Sequence, residues 1–171
     1  KVGVPPDFEI LQNISSECFM PLAYGGGIST LEHVNKIFRI GVEKIIFNTA
    51  ALDNIEFVSD VIKSVGSQSV IISIDIKKNL FGKYKIYSHK KGKCLNIDLS
   101  DFLKKINEIE VGEVFINCVN RDGMMQGYDI ELLKLLSKNL KMPVVACGGA
   151  GNINHLKEGL EEGEAHAVAA G

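Results

Sequence analysis

The 171 residues carry 19 Lys+Arg against 21 Asp+Glu, a formal charge of −2, with 46% hydrophobic and 23% charged residues. That balance is too apolar for a disordered tail and too neutral for a protein held to nucleic acid by clustered cations. No apolar run approaches the roughly 20 residues needed to span a bilayer.

Two periodicities alternate along the chain. Short runs rich in Val, Ile and Phe predict strands at Met20–Tyr24, Lys44–Asn48, Ser69–Asp75, Glu113–Val119, Pro143–Cys147 and Ala165–Ala170. Their low polarity is that of strands buried on both faces of a parallel sheet. Helical spacing lies between them: Leu31, Val34, Ile37 and Phe38; Phe57, Val58, Val61, Ile62 and Val65; Phe102, Leu103, Ile106 and Ile109; Ile130, Leu132, Leu133, Leu135 and Leu136. Asp101 and Asp129 stand where N-caps or first-turn acids belong. The basic stretch Lys83 to Lys93 reads as a solvated hairpin. Cys18, Cys94, Cys118 and Cys147 form no C-x-x-C pair, which predicts reduced thiols in a cytoplasmic protein.

The chain also repeats itself. Asp7, Glu9, Leu11, Met20, Pro21, Gly26, Gly27, His33 and Gly41 each recur 122 positions later, as Asp129, Glu131, Leu133, Met142, Pro143, Gly148, Gly149, His155 and Gly163. That interval holds four strand–helix units of about 30 residues, the size expected for half of a (β/α)8 barrel. The fold expected is thus an α/β TIM barrel built from two half-barrels and present incompletely, from about strand 3 to strand 8. Residues 1–171 form a single partial-barrel domain in this reading, without the first two strands or the C-terminal end. Lys rather than Met at position 1 agrees with a missing upstream segment. A counterpart of Asp75 is expected one repeat upstream of it, before Lys1.

Functional groups of such barrels sit at the C-terminal ends of strands. Those ends carry Gly25-Gly26-Gly27, Asn48-Thr49, Asp75, Asn120 with Asp122-Gly123, Gly148-Gly149 and Gly171. Glycine lets backbone N–H groups approach an anion. Two glycine turns related by the repeat therefore predict two phosphate sites and a substrate with a phosphate at each end. Asp75 ends the run Val70-Ile71-Ile72-Ser73-Ile74 and is read as a general acid or base, against the alternative of a loop carboxylate capping an amide. Asp122 is either a second functional carboxylate or a turn residue of Asp-Gly. His33 and His155 are read as non-catalytic.

The motifs Tyr24-Gly-Gly-Gly-Ile28, Phe47-Asn-Thr-Ala-Ala51, Ile74-Asp-Ile-Lys77, Asn120-Arg-Asp-Gly123 with Gly127-Tyr-Asp129, and Gly148-Gly-Ala-Gly151 resemble the cyclase subunit of imidazole glycerol phosphate synthase, from histidine biosynthesis. The resemblance implies an ammonia-dependent lyase and cyclase. It would convert a bis-phosphorylated phosphoribulosyl-formimino derivative of aminoimidazole carboxamide ribotide into imidazole glycerol phosphate and aminoimidazole carboxamide ribotide. It implies a glutaminase partner that supplies ammonia, with no metal, organic cofactor, nucleic acid or membrane. Asp75 matches one of two catalytic aspartates and Asp122 a supporting carboxylate. Gly27, Asn48 and Thr49 match one phosphate site; Gly123, Gly149 and Gly171 match the other. Lys44 and Glu113 match a charged ring that gates ammonia entry; otherwise they are surface charges flanking strands.

Three departures stand out: Asn120 in place of an aspartate, Met124-Met125-Gln126 in place of small polar residues, and Gly171 in place of a serine. The stretch from Pro6 to Tyr24 resembles a paralogous branch associated with surface polysaccharides, which implies ammonia transfer to a sugar nucleotide to form an amidine. An inactive scaffold is the third alternative.

Overall fold

The computed structural model describes residues 4–171, in two compact units that meet in the chain after Ile72.

In the first unit, helix α1 (Phe8–Glu17) precedes strand β1 (Ala23–Gly25), helix α2 (Leu31–Ile40), strand β2 (Lys44–Phe47), the short helix α3 (Thr49–Asp53), helix α4 (Ile55–Val65) and a 3-10 turn at Ser67–Ser69. Strand β3 (Val70–Lys78) begins in this unit and ends in the next. β1, β2 and β3 are parallel, with Ala23 opposite Lys44 and Ile45 opposite Val70. β1 starts three residues after the sequence expectation. Pro21 has no N–H to give a ladder, although Leu22 O still accepts from Glu43 N at 2.9 Å. Ile45 and Phe47 face inward with Val34 and Ile37 of α2 and Val58 and Val61 of α4, all fully or nearly fully buried. Phe57 packs its ring edge-on against Phe47, centroids 5.7 Å apart. Replacing one such core residue by Ala typically costs about 2–5 kcal/mol.

The second unit takes the end of β3 into an antiparallel hairpin, β4 (Tyr84–Ser88) and β5 (Lys93–Cys94), with Ile76 opposite Ile86. The basic stretch is therefore a hairpin, as its composition indicates, but not wholly solvated: Ile86 is fully buried. Helix α5 (Leu99–Ile109), strand β6 (Glu113–Cys118), helix α6 (Ile130–Asn139), strand β7 (Val144–Cys147), helix α7 (Ile153–Glu161) and strand β8 (Ala167–Val168) follow. β6, β7 and β8 are parallel, and Val119 N donates to Ile76 O of β3 at 2.9 Å. The inward faces of α5 and α6 supply Phe102, Leu103, Ile106, Leu132, Leu133 and Leu136, while Leu135 of the expected stripe turns outward.

The repeat reappears as matching local structure. α1 and α6 cover Phe8–Glu17 and Ile130–Asn139, the same positions one repeat apart, and α2 and α7 begin at Leu31 and Ile153. Their caps correspond as well. Asp7 accepts from Ile10 N and Asp129 from Leu132 N; Thr30 accepts from His33 N and Asn152 from His155 N. Each cap satisfies an otherwise unpaired amide of a first turn, worth about 1 kcal/mol. Asp101 lies in the first turn of α5, whose cap is Asp98. Parallel strands alternating with capped helices give the α/β class that the sequence predicts. Among the described residues, no helix is long and apolar enough to cross a membrane.

Candidate functional site

In the first unit the sequence-predicted residues stand at the two ends of neighbouring strands. Lys44 is the first residue of β2 and half-buried. Asn48 directly follows β2 and occupies the N-cap position of α3, with its backbone at φ −115 and ψ −82. Its side chain makes no cap bond to α3, and Thr49 is the first residue of that helix. Gly27 follows β1 with φ +68. A Cβ there would strike the carbonyl oxygen of Val4, so close backbone approach as well as the left-handed conformation requires glycine.

In the second unit β3 delivers Asp75 to an environment where it is only 7% exposed. Asn117 of β6 donates from Nδ2 to Asp75 Oδ1 at 3.0 Å. Strand alternation places Glu113, Phe115 and Asn117 on one face of β6, and Asn117 pairs in register with Cys147 of β7. Burial pushes the Cys147 thiol above its ordinary value, and the charges of Asp122 and Asp75 push it further, against the Gly148 backbone N–H that lowers it. Cys147 therefore stays a neutral thiol at neutral pH. Asn117 Oδ1 is buried and has no hydrogen-bond partner.

Asp122 lies in an exposed turn just beyond β6, and its backbone N–H donates to Cys118 O at 3.0 Å. The turn chemistry of Asp-Gly is thus realised, with Gly123 at φ +73 and open space around it. The charge of Asp122, like that of Asp75, contributes to raising the Cys147 thiol. Gly149 has φ +115, and its carbonyl accepts from Gly127 N at 2.8 Å. A Cβ at Gly149 would collide with the Gly127 carbonyl oxygen. Glu113 opens β6 at the opposite end from Asn117, and Gly171 is exposed at the chain's last position. Asn120 Oδ1 accepts from Lys78 N at 2.7 Å and ties the end of β3 to the loop after β6.

Sequence reasoning missed Asn117, which the alternation of Glu113–Val119 could have placed on the Asp75 face. It also missed His89, whose Nε2 lies 3.7 Å from Asp75 Oδ1. His89 sits inside a run of lysines, and nothing local distinguishes it. His155 has a structural part: its Nδ1 accepts from Gly151 N at 3.1 Å. His33 packs edge-on against Phe8. Among the described residues, no group of three or more His, Cys, Asp or Glu could hold a metal ion. All four cysteines are free thiols.

The model of a family described as histidine biosynthesis protein matches residues 1–171. Over 171 residues the chain is 41% identical to a Pseudomonas aeruginosa protein that bears the provisional name imidazole glycerol phosphate synthase subunit hisF2, covering 100% of the chain and 68% of that protein. It is 38% identical to a Leptospira borgpetersenii protein provisionally named imidazole glycerol phosphate synthase subunit HisF, again covering 100% of the chain and 68% of the relative. It is 39% identical over 162 residues to imidazole glycerol phosphate synthase subunit HisF of Chlorobaculum tepidum, covering 95% of the chain and 64% of the relative. A chain with these strand–helix units, matched throughout its length and spanning about two thirds of such relatives, carries part of a (β/α)8 barrel and belongs to the histidine biosynthesis protein family, as a HisF-like imidazole glycerol phosphate synthase subunit.

Proposed function

We propose that the full-length gene product is the ammonia-dependent cyclase of imidazole glycerol phosphate synthesis. The observation that carries the reading is Asp75, a carboxylate nine-tenths buried within β3, three residues before that strand ends, and held by an amide donor. A group so placed is suited to proton transfer. In this reading Asp75 moves protons during cleavage of the bis-phosphorylated precursor and closure of the imidazole ring, and Asp122 supports the charge that develops nearby. A second aspartate encoded upstream of Lys1 completes the pair. Backbone amides at Gly27, with Asn48 and Thr49, hold one phosphate; Gly123, Gly149 and Gly171 hold the other. Gly123, with positive φ and open space around it, supports that assignment, because without a side chain its backbone can approach an anion.

Ammonia is delivered by a glutaminase subunit, with Lys44 and Glu113 at its entry. Both residues open their strands, at the ends opposite the proposed chemistry. The reading implies a cytoplasmic enzyme without a metal or organic cofactor.

A second reading, amidine formation on a sugar nucleotide, draws support from the loop after β6. Met124 and Met125 are 53% and 71% exposed there, where the family pattern has small polar residues. Turnover assays with ammonium separate the two. Formation of imidazole glycerol phosphate from the bis-phosphorylated precursor supports the cyclase. Consumption of a sugar nucleotide alone transfers the same residues to the paralogous reaction. Turnover of neither compound leaves the scaffold reading.

A further inference from the structure

Asp75 has a neighbour that neither the sequence pattern nor the family resemblance assigns. β4 pairs antiparallel with β3, so the hairpin turns back over the strand that carries Asp75. His89 is the residue after β4. Ser88, the last residue of that strand, is buried, and its Oγ accepts from Lys91 N at 3.2 Å, which fixes the turn around His89. The imidazole stands edge-on to the Tyr87 ring, centroids 5.0 Å apart, and Lys77 Nζ lies 5.3 Å from the centroid of the same ring. So held, His89 Nε2 is 3.7 Å from Asp75 Oδ1, the oxygen that also accepts from Asn117 Nδ2.

We propose that His89 is a positioning residue for Asp75, which it orients from the hairpin side while Asn117 orients it from β6. The inference rests on the proposed proton-transfer role of Asp75. The contact is an electrostatic one at 3.7 Å, and catalytic contacts of this kind commonly shorten once substrate excludes water. A protonated imidazole gives Asp75 a charged partner; a neutral one gives it only a dipole. Titratable and charged groups in this neighbourhood include Cys147, which feels the charges of both Asp75 and Asp122, with Lys77 and Tyr87 against the imidazole. The Cys147 thiol, held neutral by burial, does not compete in the neutral range.

The side chain of His89 is 59% exposed, so its replacement leaves the core intact. The test uses the full-length gene product, with ammonium and the bis-phosphorylated precursor, and compares wild type, His89→Ala, His89→Gln and Asp75→Asn. His89→Ala is expected to lower kcat about 10-fold or more with KM within twofold. His89→Gln, which keeps an N–H donor, should recover part of that loss but lack the variation of kcat seen in wild type over about pH 5 to 8, where imidazoles titrate. Added imidazole should partly rescue His89→Ala and should not rescue Asp75→Asn.

Wild-type kcat and pH profile in both His89 variants, with Asp75→Asn inactive, would overturn the inference and leave the proposed function standing. Failure of added imidazole to rescue His89→Ala, with kcat of that variant unchanged from wild type, would overturn it as well. Full turnover by Asp75→Asn would overturn both.

Discussion

The Tyr84 hydroxyl donates to Asp129 Oδ1 at 2.9 Å, the same oxygen that caps α6 by accepting from Leu132 N at 3.1 Å. One carboxylate therefore fastens the hairpin to a helix start. Partial burial raises the Tyr84 phenol from 10.0 to about 12, and its hydrogen bond to Asp129 and that residue's charge add to the rise against Lys78. Because the folded value lies above the unfolded one, this contribution to stability is complete below pH 10 and is lost as pH climbs toward 12. Ultraviolet titration should show one phenol ionising near that upper value, and Tyr84→Phe should remove it. Melting temperatures of wild type and Tyr84→Phe should converge through that window.

Asp75→Asn keeps the size of the side chain and removes its proton-transfer capacity. Ammonia-dependent turnover of the full-length gene product should fall by roughly 10²–10⁴-fold or more, with substrate affinity nearly unchanged. Steady-state kinetics with wild-type turnover would take Asp75 out of the reaction.

The glycine turns need a more careful test than the sequence alone suggests. In Gly27→Val and Gly149→Val the new side chains would first meet the carbonyl oxygens of Val4 and Gly127 rather than a bound phosphate. Both variants should lose stability by about 1–3 kcal/mol or more, seen as lowered melting temperatures. Gly123 has open space around it, so Gly123→Ala carries only the left-handed backbone cost of about 1 kcal/mol. If Gly123 serves a phosphate, inorganic phosphate should compete with substrate in wild type and compete less in Gly123→Ala. Equal competition in both would remove that residue from the site.

Lys44→Ala should reduce glutamine-driven activity more than activity with added ammonium. The strand-initiating position of Lys44 is what a gate at the entry end requires. Equal losses in the two assays would make it a residue of the fold.

The sequence made regular elements legible where one signal dominated. The stripes of α2 and α6 have their buried residues at Val34, Ile37, Leu132, Leu133 and Leu136, and Asp129, read as a cap or first-turn acid, caps α6 as its repeat mate Asp7 caps α1. Strand ends were less legible. The run ending at Ala170 is reduced to Ala167–Val168, yet His166 N and Ala169 N still donate to Val144 O and Ala146 O on either side of it. β3 runs three residues past Asp75 because β4 pairs with it, a long-range interaction invisible to local periodicity. Asp75 could be singled out because a carboxylate at the end of five apolar or small residues is conspicuous. His89 could not, since it matters only through a contact that joins distant residues, and for Asn117 alternation gives the face of β6 but not the bond to Asp75.

The bond from Lys78 N to Asn120 fixes the base of the hairpin, whereas Leu80 at its tip is fully exposed and Phe81 is 88% exposed. The arm is thus moored at one end and offers a protease a bulky apolar recognition pair at the other. A chymotrypsin cut beside Phe81 would sever the arm at its outermost point, while the β3–β4 pairing and the Tyr84–Asp129 bond kept both new ends in place. The nicked chain would migrate as two fragments under denaturing conditions and as one particle without them.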